Sequence, residues 1–227
     1  MRNLLLDTWR LLLFQLPGVK LKELGRGHFY LGLLGTWLAG VGRYWDHPKA
    51  ELAQILGLGS LGYTIILAGF LWCVFRPIAG SQVNYWNIVT FVSLTSFPAW
   101  LYAIPVEKFT RLETAISLNI WFLALVAGWR VALLVRFVRL RYQLSWGRVA
   151  VCCLLPLSAI VFLLAALNLE HAVFEIMGGL RNQTPADGAY LVIILLSFLS
   201  VWLFPVLLIA WGWLIYQRLR HKPSKVA

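Results

Sequence analysis

Apolar residues form six long blocks along the chain, separated by short stretches that are polar, basic or rich in glycine and proline. About 20 predominantly apolar residues are enough for a helix to cross the hydrocarbon core of a bilayer. In that core every backbone N–H and C=O needs a partner within the protein, which favours helices. The pattern therefore predicts an all-α, polytopic membrane protein with about six transmembrane helices, at residues 28–41, 55–75, 86–104, 114–135, 149–169 and 190–216.

Two of these blocks are irregular. The first is short, about 21–25 Å at 1.5 Å per residue, so it extends to Trp45 or lies in thinned bilayer. The third ends at Pro105, and such a polar sequence is tolerated at membrane depth when protein covers it. The third block is therefore either a full crossing or a broken, re-entrant element. Its polar and helix-breaking residues are Asn87, Ser93, Thr95, Ser96 and Pro98.

An amphipathic segment precedes the first block. In residues 3–16, apolar side chains recur at helical spacing and form one face of a helix. Asp7 and Arg10 fall mostly outside this face. The segment is too short and too charged to span, so it predicts an interfacial helix that ends at Pro17. Its apolar stripe consists of Leu5, Trp9, Leu12, Leu13 and Leu16. The predicted organisation is a basic N-terminal segment (1–26), a membrane domain (27–217) and a basic tail (218–227).

Composition agrees with a membrane protein, since 60% of the 227 residues are hydrophobic and 13% are charged. In a soluble protein the net charge of +11 would suggest nucleic acid. Here the basic residues flank apolar blocks, which indicates a membrane surface instead. Cys73, Cys152 and Cys153 lie in or near apolar blocks without zinc-site spacing. We expect buried thiols, no metal or other cofactor, membrane lipids as partners and no nucleic acid.

The distribution of charge predicts the orientation. With a cytoplasmic N-terminus and six crossings, the inner segments hold fourteen basic and two acidic residues, and the outer loops hold five basic and seven acidic ones. Cytoplasmic loops of membrane proteins are enriched in Lys and Arg. Five crossings would place the basic tail on the wrong side. Both termini are therefore predicted to be cytoplasmic, and we expect a bacterial inner membrane.

Arg130 is a candidate functional residue because it lies inside the fourth block. Asn119 precedes it by eleven residues, about three full helical turns, and so shares its face. Ionisable residues within membrane helices commonly line a polar cavity or pair with a carboxylate. The alternative is that Arg130 extends its guanidinium to the headgroups at a cytoplasmic helix end about two turns away.

The outer end of the fifth block brings Glu170, His171 and Glu175 together. If the helix continues, His171 and Glu175 share a face, and the three side chains could form a proton relay or half of a metal site. Asp46 and His47, in an aromatic and charged outer loop, could complete it or contact lipid headgroups. The alternatives are an ordinary polar helix end and an interfacial aromatic belt. A His-Glu-x-x-His signature of zinc hydrolases is absent from the sequence.

Small residues at helical spacing predict two close-packing rows. One lies in the first block, where Gly32 and Gly40 are eight residues apart and Gly35 follows on a neighbouring row. We expect the second block to pack there through Gly57, Gly59 and Gly62. The other row lies in the fourth block and consists of Ala124, Gly128 and Ala132.

Several segments resemble the bacterial form of the Ypt-interacting (Yip) family over about residues 10–165. They are the start with 14–17 and 21–24, the small-residue and proline stretch 91–99, and the block pair 121–138 and 142–156. The resemblance implies a helical membrane domain, usually with five spans and without catalytic residues, whose eukaryotic members act with small GTPases. This chain departs from the family by a sixth block and a short N-terminal region. No site residue is carried over.

We expect an integral membrane protein that is not an enzyme: a scaffold or accessory subunit that organises lipids or a membrane complex, as a homo-oligomer or with a membrane-protein partner. The alternative is a small transporter or channel for a proton, an ion or a solute. It would use Arg130 and Asn119 at depth and Glu170, His171 and Glu175 at the outer mouth. An intramembrane enzyme acting on lipid is a third possibility.

Overall fold

A computed structural model of the chain describes residues 2–44, 51–167 and 188–220. These ranges fold into α-helices and 3₁₀ turns and contain no strand, so the all-α prediction is confirmed. The 3₁₀ segments are Gly80–Gln82, Phe97–Ala103 and Val106–Lys108. The α-helices of the described ranges, in chain order, are α1 (Arg2–Leu12), α2 (Gly18–Lys22), α3 (Arg26–Tyr44), α4 (Leu52–Ile55), α5 (Leu58–Ala79), α6 (Tyr85–Leu94), α7 (Leu112–Tyr142), α8 (Trp146–Ala166) and α9 (Gly188–Arg220).

Four helices in the described ranges are long and apolar enough to cross a membrane. They belong to α5, α7, α8 and α9, which correspond to the second, fourth, fifth and sixth predicted blocks. The membrane-helix prediction is therefore confirmed for these four blocks. The candidate spans are Leu58–Gln82, Ser117–Tyr142, Trp146–Ala166 and Ile194–Arg220.

The third predicted block is a broken element. Helix α6 ends at Leu94, Thr95 and Ser96 form a turn, and the chain continues as the 3₁₀ segment Phe97–Ala103. Pro98 has no N–H to donate, so it cannot continue the hydrogen-bond ladder of α6. The Thr95 hydroxyl also donates to the carbonyl of Val92 at 2.8 Å, which competes with regular helix bonding.

Helix α3 lies parallel to this broken element, and its glycines allow the two backbones to approach. A Cβ on Gly32 would meet Ser93 Oγ and would lie 2.8 Å from the Leu94 nitrogen. A Cβ on Gly35 would lie 2.8 Å from the Phe97 ring. The Trp100 indole N–H donates to the Gly35 carbonyl at 2.9 Å. The two elements therefore stay in register along most of α3.

A buried threonine closes the break in α6. Thr36 Oγ1 lies 2.9 Å from the Gly32 carbonyl oxygen, 3.3 Å from the Ser93 carbonyl oxygen and 3.0 Å from Ser96 Oγ. Because the helix ends one residue later, the Ser93 carbonyl accepts a 3₁₀-type hydrogen bond from the Ser96 N–H at 3.1 Å. The Thr36 hydroxyl is a further polar contact of this carbonyl and joins α3 to the turn, so Thr36 stabilises the interruption.

The main hydrophobic core lies where α5, α6, α7 and α8 meet. Phe91 and Phe137 stack at 4.1 Å between ring centroids, and Phe75 packs edge-on against Tyr142 at 6.0 Å. A second, small cluster consists of Ala39, Ala99 and Val126. A cavity lies between the two clusters.

Arginines close the end of the bundle at which α5, α7 and α9 finish. Arg76 donates to the Val83 carbonyl at 3.1 Å, and Arg139 donates to the Leu144 carbonyl. Arg218 donates to the Pro77 carbonyl at 2.8 Å and packs on Gly80, whose positive φ of 79° and missing side chain both permit the approach. The Pro77 carbonyl belongs to the last turn of α5, whose carbonyl groups have no partner within the helix, whereas Val83 and Leu144 lie in the connections that follow α5 and α7. We call this region the arginine end.

Candidate functional site

A cavity of about 460 Å³ separates the main core from the small cluster around Val126. Its size is typical of small-molecule sites. Apolar side chains of α5, α6, α7, α8 and α9 form most of its wall. The polar residues of the lining are Tyr63, Thr95, Tyr102, Arg130 and Ser197. The arrangement suits a mainly apolar ligand with one polar group.

Arg130 belongs to a cluster of two arginines and two tyrosines. Its guanidinium carbon lies 6.0 Å from the centroid of the Tyr63 ring. The guanidinium carbon of Arg43 lies 4.9 Å from the Tyr102 ring centroid. Tyr102 is close enough to interact electrostatically with both arginines and with Tyr63. We call these four residues the arginine–tyrosine cluster.

The cluster lies away from the arginine end. Helix α7 continues to Tyr142, twelve residues beyond Arg130, which corresponds to about 18 Å along the axis. Its aromatic neighbour Tyr63 lies near the beginning of α5, and Arg43 lies near the end of α3. The expected distance of two turns to the helix end was too short, because α7 runs seven residues past the predicted end at Val135. The Arg130 guanidinium therefore faces the cavity and the opposite end of the bundle.

Asn119 shares a continuous helix with Arg130 but does not lie next to it. Eleven residues of α7 separate the two, which is about 16 Å along the axis. Ile120, Leu123 and Val126 line the cavity in this interval. Apolar side chains of α7 therefore occupy the cavity-facing positions between the two residues.

The outer candidate residues Glu170, His171, Glu175, Asp46 and His47 lie outside the described residues. Within residues 2–44, 51–167 and 188–220, no group of three or more His, Cys, Asp or Glu side chains could hold a metal ion. Cys152 and Cys153 are buried and free in the apolar core, whereas Cys73 is free and exposed, so the expectation of a buried thiol is wrong for Cys73. Its side chain lies on the outer surface of α5.

The first predicted packing row lies at helix contacts. Gly32 and Gly35 face the broken element, and a Cβ on Gly40 would lie 2.9 Å from the Cα of Gly57. In the described part of the chain, a Cβ on Gly59 or on Gly62 would have no atom within 4 Å, so of the three predicted glycines only Gly57, which directly precedes α5, contacts α3.

The second predicted row faces outward. Ala124, Gly128 and Ala132 are exposed, and among the described residues no atom lies within 4 Å of where a Gly128 Cβ would stand. The reason is that α7 turns Leu133 and Phe137 into the main core. Gly128 therefore contacts no other helix in the described part of this chain, whereas Ala124 is exposed and also lines the cavity.

The sequence did not single out Tyr63 and Tyr102, and it assigned Arg43 to an interfacial belt. Their relation to Arg130 depends on four elements that are distant along the chain: α3, α5, the 3₁₀ segment and α7. No periodicity within one element reports such a convergence. The sequence did show an arginine among the apolar residues of the fourth block, and this pattern identified Arg130 as a candidate.

A second polar pair was also not evident from the sequence. His28 Nε2 lies 3.6 Å from Asp7 Oδ2, and the Gly25 backbone N–H donates to His28 Nδ1 at 3.3 Å. This bond assigns the imidazole proton to Nε2, facing Asp7. His28 is buried, and Asp7 and Lys20 are its charged neighbours. The pair joins α1 to the first turn of α3.

No protein-family model, curated protein or solved structure matches the chain. The function is therefore inferred from the cavity, from its arginine and from the apolar helices around them.

Proposed function

We propose that the protein is an integral membrane protein without catalytic activity that holds a lipid within its helical bundle and thereby organises lipids or a membrane complex. The observation that supports this proposal is the largely apolar cavity with Arg130 in its wall. A cavity of this kind offers burial to hydrocarbon and one contact to a polar headgroup.

The dimensions of the cavity suit a lipid chain. Its lining on α7 extends from Ile120 to Leu134, about 21 Å along the helix axis. One leaflet contributes roughly half of the ~30 Å hydrocarbon core. Two lining residues, Ala127 and Leu196, are exposed on the outer surface of apolar helices. A lipid could therefore enter from the bilayer without crossing a polar surface.

Six crossings, with both termini cytoplasmic in a bacterial inner membrane, are part of the proposal. Beyond the four long helices, α3 and the broken element would cross in parallel. Helix α6 has 10 residues and the 3₁₀ segment Phe97–Ala103 has 7. Together they extend about 29 Å, close to the ~30 Å hydrocarbon core. The excess of basic residues on the inner segments supports this orientation.

A role as scaffold or accessory subunit also needs a surface for a partner. The exposed row of Ala124, Gly128 and Ala132 lacks side-chain bulk, and such rows allow membrane helices to pack closely. We propose that a second copy or another membrane protein packs there. The resemblance to the Yip family, whose fold has no catalytic residues attached, is compatible with this role.

Transport of a proton, an ion or a small solute is the second candidate function. The observation in its favour is that Arg130 faces a cavity between spanning helices. The largely apolar lining of the cavity argues against a conducting path, because ions need polar groups along their route. In a transporter, Arg130→Leu abolishes flux in proteoliposomes at unchanged membrane abundance. In a lipid-holding scaffold, no flux above that of empty vesicles is expected.

The experiment that tests the proposed function is purification from native membranes in lipid-preserving particles, followed by mass spectrometry of all bound molecules. We expect lipid that survives exchange into detergent, together with a second copy or a stoichiometric membrane-protein partner. A protein that retains neither lipid nor partner would contradict the proposal. If the purified protein conducts a proton, an ion or a solute above the level of empty vesicles, transport becomes the better-supported function.

A further inference from the structure

We infer that the cavity selects an anionic glycerophospholipid, with the lipid phosphate bound by Arg130 and one acyl chain in the apolar part. This inference rests on the proposed function and adds the chemical class of the ligand. It follows from the charge of the cluster, from its position in the cavity and from the shape of the lining.

The charge of the arginine–tyrosine cluster favours an anion. Arg43 and Arg130 are close enough for their like charges to oppose each other. Among the side chains that the structure describes, no carboxylate lies within ion-pair distance of Arg130, whose guanidinium has the Tyr63 ring as its neighbour. A guanidinium held among apolar helices is stabilised by a counter-charge. Arg130 therefore attracts an anionic group.

The chemistry of the cluster favours a phosphate in particular. A guanidinium presents its N–H groups in a fork that matches two phosphate oxygens. The hydroxyl groups of Tyr63 and Tyr102 can each donate one further hydrogen bond. A zwitterionic lipid has the same phosphate but also carries a cation, which the Arg130 guanidinium repels. This repulsion discriminates between the two lipid classes.

The remaining lining accommodates hydrocarbon. Around Arg130 the wall consists of aliphatic and aromatic side chains from α5, α6, α7 and α8, among them Leu71, Phe91, Leu134 and Ile160. Burial of a chain against such a wall gains the transfer energy of each methylene group. Free phosphate lacks this contribution, so the inference commits to a lipid.

The first test compares two lipids with identical acyl chains on the delipidated full-length protein by native mass spectrometry. The probes are phosphatidylglycerol, which is anionic, and phosphatidylcholine, which is zwitterionic. We expect about tenfold tighter binding of phosphatidylglycerol, the size of one charge-assisted contact. Arg130→Leu should lower its affinity about tenfold, to that of phosphatidylcholine, whereas Arg130→Lys should retain part of the preference. The matched control is Arg148→Leu, because Arg148 is exposed and lies outside the cavity lining.

A second variant keeps the inference testable if Arg130→Leu folds poorly. Ala127→Phe adds a ring to a lining position, whereas Gly212→Phe adds the same ring to an exposed position of α9 outside the lining, where nothing lies within 4 Å. We expect Ala127→Phe to reduce binding of both lipids and Gly212→Phe to leave it unchanged. Inorganic phosphate at matched concentration should not displace phosphatidylglycerol.

The outcomes separate the inference from the proposed function. Equal binding of the two lipids by the wild-type protein, or unchanged preference in folded Arg130→Leu, overturns the anionic selection and leaves lipid binding intact. Displacement by inorganic phosphate alone would reassign the cluster to a free anion. If neither lipid binds at all, both the inference and the lipid-holding function fail.

Discussion

The Trp129 indole N–H donates a hydrogen bond of 2.9 Å to the carbonyl of Leu12, at the end of α1. Trp129 also stacks on Phe14 at 6.3 Å, and Arg136 donates to the Leu16 carbonyl at 3.1 Å. Gly18 packs against Leu140. The segment from Leu12 to Gly18 therefore follows α7 toward the arginine end. Because Trp129 adjoins Arg130, the docking of the N-terminal segment and the candidate site share one stretch of α7.

Replacement of Trp129 by phenylalanine should loosen the N-terminal segment. Trp129→Phe keeps an aromatic ring against Phe14 but leaves the Leu12 carbonyl without the indole donor. A lost hydrogen bond of this kind costs about 1 kcal/mol of the free energy of unfolding. Hydrogen exchange of α1 and unfolding in mixed micelles measure the effect. Trp121→Phe is the control, because Trp121 is 72% exposed on the same helix, and equal effects of the two changes would contradict the docking role.

Alanine substitutions at Gly32 and at Gly128 should differ in their effect on stability. Gly32→Ala places a methyl group against Ser93 and Leu94 and should cost about 1–3 kcal/mol through overpacking. Gly128→Ala meets no atom within 4 Å and should be neutral or stabilise α7 by up to about 1 kcal/mol. Thermal unfolding of the two purified variants decides the matter. A neutral Gly32→Ala would show that α3 does not depend on this close approach.

Removal of the Thr36 hydroxyl should destabilise the break in α6. Thr36→Val preserves the volume but removes the hydroxyl contacts to the Ser93 carbonyl and to Ser96 Oγ, at a cost of about 0.5–1.5 kcal/mol. Thr90→Val is the matched control, since Thr90 bonds within its own helix to the Trp86 carbonyl at 2.7 Å. We expect this control to lose less than half as much stability. Equal losses of stability in the two variants would contradict a specific role of Thr36 at the break in α6.

The sequence by itself determined the class of the protein and most of its helices. Blocks of apolar residues specify long helices, because the membrane core leaves backbone groups no partner except their own chain. The boundaries were less certain: α7 extends to Tyr142 because its last turns bear arginines that reach backbone carbonyls, as Arg136 does at Leu16. Pro98 indicated an interruption of the third block, but a residue from another helix, Thr36, stabilises it.

Only the tertiary structure decided which polar residues meet. The pattern within the fourth block identified Arg130 but paired it with Asn119, which lies on the same face and too far along the axis. The residues that do surround Arg130 come from α3, α5 and the 3₁₀ segment after α6. Helical periodicity reports which face of one helix a residue occupies, and it contains no information on which faces of different helices come together. Contacts between distant segments depend on packing, and packing fixed both the cavity and the cluster in its wall.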